Sequence, residues 1–208
     1  MGLENTSTCL RQNAYMRKMI SLAAAAGLAI ALVSCGSDAD DAGSADAEPT
    51  DTETITLETN RGKIVIKTNP AAPQTVEAQT KLVTEQYFDD TPCHRVVTSG
   101  IFVLQCGDPT GTGTGGPGYQ LPDENLPDPT VNNYPAGTVA MANSGPNTAG
   151  SQFFIVYEDT TLDPGYTIWG EVVEGLDVVT NIAVSSRKDG ITDGKPKPKV
   201  TIKTATLG

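Results

Sequence analysis

From Thr54 onward apolar and polar positions alternate. Ile55 and Leu57 fall among Thr54, Thr56 and Glu58, and after Asn60-Arg61-Gly62 the residues Ile64 and Ile66 alternate with Lys63 and Lys67. Period two with a glycine-containing break predicts a β-hairpin. Pro73 then opens a helix running to about Gln86. Val76, Leu82 and Val83 form its apolar stripe, and the proline stands in the first turn, where its missing N–H is harmless. Further strands are predicted at 94–98, 101–106, 138–142, 151–157, 167–173 and 199–206, and a second helix at 175–184 with Leu176, Val179 and Ile182 on one side.

Eight short strands with two helices make the domain mainly β, and an even strand count can close into a barrel without exposed edges. The stretch from Gly107 to Pro135 is rich in Gly and Pro and has no hydrophobic period. Structureless loops of this length are usually functional or disordered, and its neighbours carry the polar residues of interest, so a functional loop is expected.

The first fifty residues differ. Met16-Arg17-Lys18 precedes an uncharged run from Ile20 to Val33, which ends in Leu32-Val33-Ser34-Cys35. The order basic, apolar, small is that of a secretory signal, and the run is too short for a spanning helix of roughly 20 residues. The ending resembles the lipobox of bacterial lipoproteins, so residues 1–34 are expected to be a signal peptide and Cys35 a lipidated first mature residue. Met16 is an alternative start. The competing reading, a buried core helix, fits poorly with Ala-rich, Gly27-containing sequence beside an acidic tract. Residues 35–53 contain seven acidic residues and, beyond Cys35, no large apolar side chain. They are expected to form a disordered tether reaching on the order of 20 to 25 Å. The implied location is the extracytoplasmic face of a cell membrane.

From Thr54 on there are 17 acidic and 11 basic residues. This mildly acidic balance, with no Lys/Arg stripe, argues against a nucleic-acid partner. Lys195-Pro196-Lys197-Pro198-Lys199 reads as a loop. After processing three cysteines remain: Cys35, Cys93 and Cys106. The last two flank the strands on either side of Gly100. Two readings stay open for them, a cross-strand disulfide, permitted in an oxidising compartment, and a pair of small buried thiols.

Gly113-Thr114-Gly115-Gly116-Pro117-Gly118 matches a dinucleotide fingerprint formally. However, Pro117 to Pro122 cannot continue as the helix that motif needs, and the segment reads instead as a loop shaping a groove. His94 is the only histidine. Its neighbour Cys93 points to the opposite strand face, so no hydrolytic triad is expected, and no metal-ligand spacing is present. A core histidine satisfied by a backbone group is the expectation. Arg95, flanked by apolar residues, must reach solvent or face a cleft. The cleft reading gains from Gln105, Asn143 and Gln152, which are polar side chains in otherwise apolar strands near Phe102, Met141 and Phe154.

The runs Cys93-His94-Arg95-Val96-Val97, Phe102-Val103-Leu104-Gln105-Cys106-Gly107-Asp108 and Met141-Ala142-Asn143-Ser144-Gly145-Pro146-Asn147-Thr148-Ala149-Gly150-Ser151-Gln152-Phe153-Phe154 resemble the cyclophilin family of peptidyl-prolyl isomerases, over roughly 54–208. The resemblance implies a closed eight-stranded antiparallel β-barrel capped by two helices. Arg95 would be the catalytic arginine. Phe102, Met141, Phe154 and Leu162 would form the wall of a proline pocket, and Gln105, Ala142, Asn143 and Gln152 a groove for the substrate backbone. Tyr166 stands where many members have His and is retained as a binding residue. Thr161 stands where many have the Trp associated with cyclosporin contact, so the resemblance does not carry strong inhibition across. Cys93 replaces the usual Phe, and Thr98-Ser99-Gly100-Ile101 is longer than the common link.

The implied activity is cofactor-free isomerisation of X-Pro bonds in proline-containing polypeptides, by a monomer. Two other classes compete: a proline-peptide binding module with little turnover, and a surface adhesin or structural lipoprotein. Arg95 separates the first from the second, because a mere binder has no need of a cation at the prolyl nitrogen. An adhesin would call for repeats or a large exposed apolar face.

Overall fold

The computed structural model describes residues 53–208. The expected signal segment, Cys35 and the acidic stretch up to Thr52 lie outside the described residues. Ten antiparallel strands form one sheet. They are β1 (Thr54–Thr59), β2 (Gly62–Thr68), β3 (Pro92–Cys93), β4 (Arg95–Ser99), β5 (Ile101–Cys106), β6 (Thr138–Met141), β7 (Phe153–Val156), β8 (Ile168–Glu174), β9 (Asp193–Gly194) and β10 (Val200–Leu207). Their spatial order is β3-β10-β1-β2-β8-β6-β7-β5-β4-β9. Two helices accompany them, α1 (Pro73–Thr84) and α2 (Leu176–Lys188). Among the described residues no helix is long and apolar enough to cross a membrane.

The mainly β class with two helices is as expected, but the strand count is ten rather than eight. β3 and β9 are two residues each, too short to give any periodic signal. The strand expected at 94–98 starts at Arg95, because His94 interrupts the pairing. β3 bonds to β10 on one side of the interruption and β4 to β5 on the other. Helix α2 runs a turn beyond its predicted end. Ser186 is buried there, where its Oγ donates to the Ile182 carbonyl (2.8 Å) and accepts from the Lys197 N–H (3.0 Å), and Arg187 and Lys188 complement the last-turn carbonyls.

The sheet is buried on two sides. One set of side chains, including Ile55, Leu57, Ile64, Ile66, Leu104, Met141, Phe153, Ile155 and Trp169, packs with Leu82 and Val83 of α1 and Val179 and Ile182 of α2. Phe153 meets Phe88 and Trp169 edge to face, each at 5.8 Å between ring centres. Each fully buried Leu or Phe contributes about 1.5–3 kcal/mol by leaving water. The opposite set, Val97, Val103, Tyr134, Ala140, Phe154 and Val156, forms a second, smaller apolar cluster. Strand alternation produces this division, since odd and even positions of β5, β6 and β7 project to opposite faces.

Cys93 and Cys106 form a disulfide that fastens β3 to the end of β5. Gly107 follows at a positive φ of 88° and passes so close to the Ser151 carbonyl that a Cβ could not be accommodated. This contact seats the start of the long loop beside the segment that carries Gln152. The loop also reaches α1, whose Ala72 N-cap offers no side-chain cap. Glu124 supplies the cap from a distance, accepting from the N–H groups of Gln74 (3.2 Å) and Thr75 (2.8 Å).

Candidate active site

The pairing registers place Arg95 opposite Gln105, Gln105 opposite Phe154, and Phe154 opposite Ala140. Directly opposed residues share a face, so four strands contribute one row of side chains, charged at the β4 end and apolar toward β6. Above this row lies a cavity of about 190 Å³ lined by Arg95, Ile101, Val103, Gln105, Ala142, Asn143, Phe154, Leu162 and Tyr166. Phe154 and Tyr166 meet edge to face at 5.5 Å, and Tyr166 is further held by Tyr134, whose hydroxyl accepts from the Tyr166 N–H at 3.1 Å. Burial pushes the Tyr134 phenol up to about 12, so it stays protonated.

Arg95 is held from two sides. Its Nε and Nη2 donate to the two carboxylate oxygens of Asp193 at 2.8 and 2.9 Å, and Nη1 donates to Gln105 Oε1 at 3.4 Å. Gln105 Nε2 donates in turn to Gln152 Oε1 (2.9 Å), and Gln152 Nε2 to the Gly115 carbonyl (2.8 Å). One hydrogen-bonded chain thus runs from Asp193 through the arginine to the glycine-rich loop. The hydrogen bond to Asp193 raises the Arg95 pKa against the effect of burial and lowers that of Asp193, so the pair is fully ionised at neutral pH.

A second, larger hollow of about 680 Å³ adjoins the first and shares Gln105, Ala142 and Asn143 with it. Gly113 to Gln120 form one wall and Ser144, Thr148 and Gly150 to Gln152 the other. No helix follows the glycines, in line with a groove-shaping loop. Asn143 stands between the hollows. Its Nδ2 donates to the Gly165 carbonyl at 2.7 Å, and among the described residues its own N–H and C=O have no backbone partner. An extended peptide crossing here has a main-chain donor and acceptor to pair with.

The structure brings together seven of the expected residues around the smaller cavity: Arg95, Gln105, Ala142, Asn143, Phe154, Leu162 and Tyr166. Gln152 lies in the larger one. Phe102 and Met141 are corrections. Met141 is 0 % exposed in the main core, where its sulfur accepts from Gln79 Nε2 at 3.4 Å. Phe102 turns to the same core side and packs on Tyr157. Both have the wrong strand parity for the cavity, and Ile101 and Val103, four and two positions before Gln105, take the wall instead. The signal was available in the spacing. Thr161 is exposed, its Oγ1 accepting from the Asn132 N–H at 2.8 Å.

His94 is buried, 8 % exposed, but not satisfied by a backbone group. Neither ring nitrogen has a partner among the described residues, and the ring lies under Gly113. Burial lowers its pKa against the pull of Asp108, which leaves it neutral at pH 7.

A family model described as cyclophilin type peptidyl-prolyl cis-trans isomerase/CLD matches residues 54–207. The chain therefore belongs to the cyclophilin-type peptidyl-prolyl cis-trans isomerase family. It is 44% identical over 165 residues to a probable peptidyl-prolyl cis-trans isomerase B of Mycobacterium tuberculosis, a match covering 74% of this chain and 54% of that protein. It thus spans about half the length of that relative. A peptidyl-prolyl cis-trans isomerase-like 1 of Gibberella zeae is 39% identical over 161 residues, covering 75% of this chain and 95% of its own. Among solved structures, a cyclophilin type peptidyl-prolyl cis-trans isomerase of Cryptosporidium parvum superposes with a TM-score of 0.65 at 28% identity, covering 75% of this chain and 97% of its own. The same protein crystallised in the presence of the dipeptide Ala-Pro gives 0.64 at 28% identity, with 74% and 98% covered.

Proposed function

We propose that residues 54–208 form a peptidyl-prolyl cis-trans isomerase domain that turns X-Pro bonds in extracytoplasmic polypeptides and is held to the membrane by a lipid on Cys35. The observation that carries the activity is the Arg95 guanidinium on the rim of an apolar cavity walled by Phe154, Leu162 and Tyr166. The amide barrier of about 18–20 kcal/mol exists because the nitrogen lone pair is shared with the carbonyl. In the twisted state the lone pair is localised on nitrogen and can accept a hydrogen bond, whereas in either planar state it cannot. A fixed donor beside the prolyl nitrogen therefore favours the transition state selectively.

Of the five guanidinium N–H groups, two are given to Asp193 and one to Gln105. The remaining two have no partner among the described residues and can act on substrate. The cavity holds the ring, Asn143 holds the preceding backbone, and one end of the peptide turns against the other. This needs no group beyond the chain's own side chains, and the site is complete in one copy, which suits a monomer. The Ala-Pro dipeptide present with the Cryptosporidium parvum relative supports a proline-containing ligand. The sheet is read as an eight-stranded closed barrel with β3 and β4 as halves of one strand and the two-residue β9 as an addition at the edge of β4, since β3 bonds to β10 and β4 to β5.

The full chain is expected to accelerate cis-trans exchange of an Ala-Pro peptide, followed by NMR exchange spectroscopy. Exchange at the uncatalysed rate, with peptide binding retained, would leave only the binding module. The location rests on Cys35 closing an apolar run and on the acidic composition of 35–53. In a bacterial host, metabolic labelling with an alkyne fatty acid should mark the wild type and not Cys35→Ala. Equal labelling of both, or of neither, rejects the anchor.

A further inference from the structure

β9 contains only Asp193 and Gly194, and its pairing with β4 sets Asp193 opposite Val97. Opposed residues share a face, and Val97 lies two positions from Arg95, so the Asp193 carboxylate emerges on the arginine's side of the sheet. It grips Nε and Nη2 at 2.8 and 2.9 Å in a two-pronged ion pair, the strongest geometry available to these groups. Asp193 itself is not among the residues that line the cavity.

We infer that Asp193 is a positioning residue. It clamps one edge of the Arg95 guanidinium so that the opposite edge, carrying Nη1, is held toward Gln105 and the cavity. This rests on the isomerase reading above. An arginine on a sheet surface has many rotamers, and catalysis by a fixed donor requires that it be oriented before the peptide twists. The single 3.4 Å bond that Nη1 donates to Gln105 Oε1 is too long to do this alone. The side chains of Arg95 and Asp193 are 40 % and 53 % exposed, so the pair adds little to global stability. What the pair supplies is orientation.

The test uses the full chain and the variants Asp193→Ala and Asp193→Glu, alone and, for the former, with Arg95→Ala. Asp193→Ala is expected to lower kcat about tenfold with KM within about twofold and melting temperature within about 3 °C. Asp193→Glu, which can re-form the pair, should recover most of the rate. In the Arg95→Ala background the second substitution should cost nothing further, because the carboxylate acts only through the arginine. A kcat within about twofold of wild type in Asp193→Ala, or an equal extra loss in the Arg95→Ala background, overturns the inference. The Arg95 Nε–H resonance supplies a reading independent of turnover. Slow hydrogen exchange in wild type and fast exchange in Asp193→Ala support the clamp, and unchanged exchange refutes it. If the wild type itself lacks turnover, the isomerase reading fails while this resonance still decides the clamp.

Discussion

Arg95→Ala is expected to cut isomerase turnover by about 100- to 1000-fold, the usual consequence of removing one preorganised donor from a transition state. The fold should persist, because the side chain is part-exposed and its ion pair is at the surface. KM should change little, since ring and backbone are held by Phe154, Leu162, Tyr166 and Asn143. Arg95→Lys keeps the charge but loses the planar fork that engages Asp193 and Gln105 together, and should lose most of the rate as well. Stopped-flow or NMR exchange measurements on an Ala-Pro peptide give the answer, and a variant within about threefold of wild type would falsify the assignment.

The second large effect concerns Asp108, 0 % exposed at the start of the long loop. One carboxylate oxygen accepts from the N–H and hydroxyl of Thr110 (2.8 and 2.7 Å). The other accepts from the N–H groups of Thr112, Gly113 and Gly115 (3.2, 2.7 and 3.1 Å). Asp108→Ala removes the shared acceptor of four amides, three in exposed residues and that of Gly115 in a half-buried one, and should cost about 1.5–3 kcal/mol, seen as a lower denaturant midpoint. It should also loosen the Gly113–Gln120 wall of the larger hollow. A loss under about 1 kcal/mol would show that the loop does not depend on this carboxylate.

Acid should act in the same direction. Burial alone would raise the Asp108 pKa, but the bonds from Thr110, Gly115 and Gly113 outweigh it and hold the carboxyl well below the usual carboxylate range. A depressed folded pKa stabilises fully above the unfolded value of about 3.9, and that stabilisation fades as pH falls toward the folded value. Unfolding midpoints should therefore drop below about pH 4, and less steeply in Asp108→Ala.

How much was legible depended on distance along the chain. The β1–β2 hairpin and α1 announce themselves in local periodicity and in Pro73. β3 and β9 do not, because two residues carry no period and their pairing is decided by partners about a hundred residues away. The site's membership was largely visible through the family resemblance, yet Phe102 and Met141 were assigned to the wrong side. A motif read as a string ignores that neighbours in a strand face apart. Asp193 was invisible for a different reason, since nothing in Thr192-Asp193-Gly194-Lys195 distinguishes a clamp from an ordinary acidic turn. Only the β9–β4 register brings it to an arginine 98 positions earlier.

The row from Arg95 through Gln105 and Phe154 to Ala140 has a last consequence. No two neighbours in it lie closer than ten positions in sequence, and each belongs to a different strand. Folds dominated by such distant pairings assemble late and slowly. A site built this way is complete only when all four strands have paired, so turnover counts finished molecules and ignores every truncated or half-assembled one.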